Sequence, residues 1–139
     1  MCLRSKHLPY KCEKDIICYK VFKRGQFSQT LRSPYTMHRW DSKKQFNPLI
    51  KGINGDILFE ETYDHATKTY LYKDNFFHAF RWKFLAKREA KLVKEILLES
   101  VSSDSKDWIV VIKKCKIPAG SYVVKNFREI AGTSMEILD

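Results

Sequence analysis

The stretch Phe76-Phe77-His78-Ala79-Phe80, running directly into RWKFLAKREAKLVKEILLE at positions 81–99, decides the fold class. Its first part alternates as a strand does, with His78 between Phe76 and Phe80 on one face and Phe77 and Ala79 on the other. The second part changes period. Trp82, Leu85, Ala86, Ala90, Val93, Ile96 and Leu97 recur at helical spacing and predict a helix that starts at Arg81 or Trp82 and ends near Glu99. At about 100° per residue, Lys83, Lys87, Lys91 and Lys94 form one stripe opposite that apolar arc. Glu89 points into the arc, where an uncompensated carboxylate is costly, and is read as a boundary residue paired with an arginine.

Strands surround this unit on both sides. In residues 15–22, Ile17, Tyr19 and Val21 alternate with Ile16, Cys18, Lys20 and Phe22, apolar on nearly both faces, which predicts a central strand. Residues 56–63 and 69–72 read as a hairpin about Asp64-His65-Ala66-Thr67. Residues 108–117 are a β-branched strand, Pro118-Ala119-Gly120 is turn chemistry, and residues 121–124, 127–131 and 135–138 are further short strands. Residues 1–14 show no period and read as an irregular leader; residues 26–33 and the segments around Asn47-Pro48 and Gly52-Ile53-Asn54-Gly55 read as connections. The expectation is one α+β domain over residues 1–139, a mostly antiparallel sheet of five to seven strands packed against one principal amphipathic helix.

Hydrophobic content of 44% with 14% aromatics supports a packed core. Twenty-six Lys+Arg against sixteen Asp+Glu give a formal charge of +10, which favours an anionic partner. The charge is dispersed from Lys6 to Arg128 without a block of like charges, so neither a nucleic-acid arm nor a polybasic anchor is indicated. No run approaches the roughly eighteen apolar residues of a membrane span and no secretory signal precedes the first strand, so a cytoplasmic protein with reduced thiols and no membrane partner is expected.

Chemistry-bearing motifs are sparse. Cys2, His7, Cys12 and Cys18 contain no C-x-x-C pair, so no metal site is expected. A nucleophile elbow, a family-type cysteine signature and a phosphate loop are all missing, with five glycines and no G-x-G pair, so neither a cofactor nor a catalytic residue is assigned. The candidate ligand-binding residues are Tyr35, His38, Arg39 and Trp40, which combine aromatic rings with a cation on an extended segment, and His78 among its phenylalanines. Lys87 and Lys91 join them from the helix stripe, as phosphate contacts.

Taken together, Met1-Cys2-Leu3, residues 15–21 (Asp-Ile-Ile-Cys-Tyr-Lys-Val), Ser33-Pro34-Tyr35, Phe77-His78-Ala79-Phe80 and residues 117–122 (Ile-Pro-Ala-Gly-Ser-Tyr) resemble a group of small uncharacterised proteins of bacteriophages and gut bacteria. The group carries no activity to transfer, and it tends to place glycine where this chain has Phe76. The strand order and Gly132-Thr133-Ser134-Met135-Glu136 are also faintly similar to the ADP-ribosyltransferase fold, although Glu129 and Glu136 are too far apart for its glutamate pair. The reading these features favour is a non-enzymatic phage-type accessory protein that binds an anionic, nucleotide-like small ligand in the host cytoplasm and withholds it from signalling. A nucleic-acid-binding module and an ADP-ribosyltransferase-like enzyme are the alternatives, and the sequence is compatible with a homo-oligomer.

Overall fold

Apolar residues on both faces make the strand at Ile16–Gly25 the one around which the rest is arranged. The computed structural model describes residues 3–34, 39–46, 50–51, 57–58, 61–72, 76–99 and 108–138. Its first elements are β1 (Leu3–Ser5), β2 (Tyr10–Lys11), β3 (Ile16–Gly25), β4 (Leu31–Arg32), β5 (Arg39–Trp40), β6 (Lys44–Phe46), β7 (Ile50–Lys51) and β8 (Ile57–Leu58). They are followed by β9 (Glu61–Asp64), β10 (Thr69–Tyr72), β11 (Phe77–Phe80), the helix α1 (Lys83–Glu99), β12 (Trp108–Ile117), β13 (Tyr122–Lys125), β14 (Glu129–Gly132) and β15 (Ser134–Ile137).

Every strand pairing among the described residues is antiparallel. One ten-stranded sheet runs β2-β13-β14-β11-β3-β12-β15-β6, with β4 paired to β3 and β5 to β4. Strands β1, β10 and β9 make a second sheet, and β7 pairs with β8. β3 and β12 stay in register along their whole length, from Trp108 opposite Gly25 to Ile117 opposite Ile16.

The two faces of β3 serve different cores. Val21, Phe80 and Val110 receive Leu85, Ala86, Ala90 and Val93 of α1 on one face. Cys18 and Phe22 lie on the other, where the sheet curls so that Val123 and Ile130 from one wing meet Met135 and Ile137 from the other. Gly132 lies where the chain passes between the wings, and a Cβ there would sit 2.8 Å from Ile117 Cγ2, so the close approach requires glycine. The turn before β13 also needs one: the Ser121 N–H donates to the Pro118 carbonyl at 3.1 Å, and Gly120 has φ 91°. Leu3, Tyr72, Phe76, Val124 and Ala131 form a third cluster.

The α+β class, the principal helix and the long strands agree with the sequence reading; the strand count among the described residues does not. Seven of the strands are only two or three residues long, too short for a period to register. Residues 1–14, expected to be irregular, contribute β1 against β10 and β2 against β13, and Leu3 is completely buried. Trp82 and Ile96, assigned to the buried arc of the helix, are 46% and 54% exposed. The seat for α1 is narrow, and small Ala86 and Ala90 fill its centre, so only Leu85 and Val93, with Leu97 at the margin, pack beside them. Glu89 is half-buried at that boundary. The predicted exit loop at 100–106 lies outside the described residues.

Val93→Ala is expected to lower the unfolding free energy by about 2 kcal/mol through lost burial and a residual cavity. Ile96→Ala is expected to cost less than about 0.5 kcal/mol, as exposed positions do. Urea melts of the two variants measure the difference, and equal losses would mean that the helix is seated on a different face.

Candidate functional site

β3 has one edge fully occupied by β12 and another that two strands share. On that second edge β11 pairs at Tyr19, opposite Phe80, and β4 pairs at Lys23, opposite Arg32. Between them, the described strands leave residues 20–22 without a bridge. The opening is closed by side chains. Lys20 Nζ donates to the His78 carbonyl at 2.7 Å, and Trp40 packs edge-on against Phe22 at 5.0 Å and Phe77 at 5.5 Å. The Lys20 ammonium also lies 5.7 Å from the Phe22 ring centre and 6.0 Å from that of Trp40.

Burial dominates the electrostatics here. It lowers the Lys20 pKa from its ordinary 10.5 to about 8, against the opposing pull of Cys115 and Cys18. Burial, with Cys115 beside it, pushes the Cys18 thiol well up. Cys18 and Cys115 are opposite one another in β3 and β12, and both are fully buried thiols not joined in a disulfide. At neutral pH Cys18 is therefore a protonated thiol, unsuited to act as a nucleophile.

A second constellation lies one strand row further along. Lys23 is opposite Arg32, and Arg32 is opposite Arg39, so three cations occupy one row across β3, β4 and β5. Directly opposite residues share a face, and Leu31 and Trp40, one position away, point to the other face into the core. Lys23 sits 4.8 Å over the ring of Trp108, the first residue of β12. Burial and then Arg32 hold the Lys23 pKa below its ordinary value. Arg39 reaches Asp41 at 3.6 Å; none of the ion pairs among the described residues includes Lys23 or Arg32.

The residues proposed from sequence are thus dispersed. Tyr35 and His38 lie outside the described residues. Arg39 and Trp40 are neighbours on one strand and so face opposite sides: Arg39 is exposed, whereas Trp40 is a core ring, 5% exposed, rather than a surface platform. His78 is 7% exposed in mid-strand, opposite Ala131. Lys87 and Lys91 project from the exposed side of α1. Sequence reasoning passed over Lys20, Lys23, Arg32 and Trp108. The available signal was the cations Lys20 and Lys23 inside a strand that is largely apolar on both faces. A cavity of about 300 Å³ between β6 and β15 is lined in part by Lys44 and Lys116, but Lys116 lies 3.7 Å from both Asp15 and Glu136 and is locally neutralised.

Glu129 and Glu136 lie on successive strands with different surroundings. Burial raises the Glu129 pKa, the Asn126 side chain opposes this, and Glu89 adds to it, while Glu136 is paired with Lys116. No family model, curated protein or solved structure matches the chain.

The Lys20 shift has a definite sign. Its contribution to stability is present in full above 10.5 and is lost as pH falls through about 8, because only the unfolded chain keeps the proton between those values. Cys18 works the other way above its ordinary 9.0, so pH 8 to 9 is the clean window. Across it the unfolding free energy should gain about 1 kcal/mol from Lys20. Lys20→Met should remove that increment in pH-dependent urea melts; an unchanged slope would show that the amine titrates normally.

Proposed function

We propose that the protein is a non-enzymatic binding protein for an anionic, nucleotide-like small ligand held by the Lys23, Arg32 and Arg39 row. The observation that carries the reading is the row itself. Like charges placed directly opposite one another on neighbouring strands destabilise a sheet, by roughly 0.2–1 kcal/mol per pair. A bound polyanion would offset that cost. With strands about 4.8 Å apart, the row spans roughly 10 Å, a length suited to a short chain of phosphates laid across the strands. Two of its members are arginines, whose planar forks match phosphate oxygens, and Trp108 puts an aromatic ring beside them. The resemblance to small phage proteins adds the biological setting: withholding a signalling nucleotide of the host.

The row makes a distinctive demand on mutants. Arg32→Gln should leave the free protein as stable or up to about 1 kcal/mol more stable, because it relieves like-charge repulsion. The same change should weaken binding of ATP or inorganic triphosphate by about 1.5–3 kcal/mol through a lost charge-assisted contact. Thermal melts and titration calorimetry with both probes test this. Ligand stabilisation that survives in Arg32→Gln, or that falls equally in Lys87→Ala and Lys91→Ala with a steep salt dependence, would replace the row with a diffuse polyanion surface.

A further inference from the structure

Five apolar side chains stand in water on α1 and its approach: Trp82, Phe84, Leu92, Ile96 and Leu98, at 46%, 61%, 52%, 54% and 71% exposure. The helix already seats Leu85, Ala86, Ala90 and Val93 on the sheet, so these five add nothing to that core. Their arrangement is ordered. At about 100° per residue, Leu92 and Ile96 form one flank of the exposed surface, Phe84, Lys91 and Leu98 form its crest, and Lys83, Lys87 and Lys94 form the other flank. Phe84, Lys91 and Leu98 recur every seventh residue and so line up along the axis, over roughly 21 Å. Arg88 and Glu95 lie beside the crest, and Glu95 is the acid among these exposed cations.

We propose that this face of α1 docks in the headgroup region of an anionic lipid bilayer. No helix among the described residues is long and apolar enough to cross a membrane, so the contact is peripheral, and it revises the expectation that membranes play no part. Three features favour lipid over another occupant. The surface is a convex ridge, which a fluid bilayer accommodates and which a protein would have to match with a groove. Its cations are mostly lysines, point charges on long apolar stems that reach headgroups without fixed geometry while Phe84 and Leu98 enter the acyl boundary. A second copy is disfavoured in a chain of formal charge +10, because an antiparallel isologous pairing of this helix would bring the lysine flanks together and a parallel one would set the lysines against Leu92 and Ile96. The Lys23, Arg32 and Arg39 row lies on the sheet face that seats α1, whereas the residues named here are on the exposed side of the helix, and neither proposal depends on the other.

The test is co-sedimentation of the full chain with vesicles, either phosphatidylcholine alone or an equimolar mixture with phosphatidylserine. Binding is expected to the mixture and not to phosphatidylcholine alone. Phe84→Ser combined with Leu98→Ser, both at exposed positions, should reduce partitioning at least roughly tenfold without changing the melting temperature, as should Lys87→Gln combined with Lys91→Gln. Failure to bind the mixed vesicles would overturn the proposal. So would partitioning that the Phe84 and Leu98 changes leave intact, which is electrostatic adsorption alone. A concentration-dependent dimer abolished by those same changes would assign the face to a second copy instead.

Discussion

The hydrogen bond from the Lys20 ammonium to the His78 carbonyl closes the place where two strands compete for one edge of β3. A sheet that changes neighbour along a strand leaves backbone groups facing an apolar interior, where an unpaired carbonyl is costly. Here a side chain supplies the missing donor. The same opening admits Trp40, whose ring joins Phe22 of β3 to Phe77 of β11. Burying a cation for this purpose carries its own penalty, visible as the lowered pKa of Lys20, and the ring faces and neighbouring thiols reduce it only in part. The fold therefore concentrates its least comfortable charge at its geometric junction.

Beyond that junction the charge of the chain is distributed with little neutralisation. Lys23, Arg32 and Arg39 continue from the junction as a row of cations, while α1 carries its lysines on the side remote from the sheet. Of the acidic side chains that pair, Asp41 reaches the exposed end of the row at Arg39, while Asp64 pairs with Arg4, and Asp15 and Glu136 with Lys116. Lys23 and Arg32 adjoin as like charges with no ion pair of their own among the described residues, an arrangement that carries electrostatic cost in the free protein. The exposed apolar residues of α1 are a second such cost, of hydrophobic rather than Coulombic origin.

The local periodicities determined a good deal. The switch from period 2 to helical spacing at Phe80 placed the strand and the helix to within a residue or two, and the β-branched run fixed β12 from Trp108 to Ile117. The turn at Pro118-Ala119-Gly120 was legible because glycine is the residue that adopts positive φ there without strain. Single-residue burial on the helix was less legible. Trp82 and Ile96 satisfy the helical period, yet how wide an arc is covered depends on the surface beneath, and here that surface accepts Leu85, Ala86, Ala90 and Val93.

The charged row is a product of long-range pairing. Lys23, Arg32 and Arg39 are spread over three strands, and their juxtaposition follows from register, which no local pattern encodes once strands shorten to two residues. His78 is buried in mid-strand, and its backbone carbonyl accepts from Lys20, a contact that depends on the fold and not on the imidazole. The long strands and the helix were legible because their preferences are set by neighbours a few residues away. Which cations stand together, which aromatic rings are interior and which lysines are buried are set by contacts between segments distant in the chain, and those exist only once the sheet has closed.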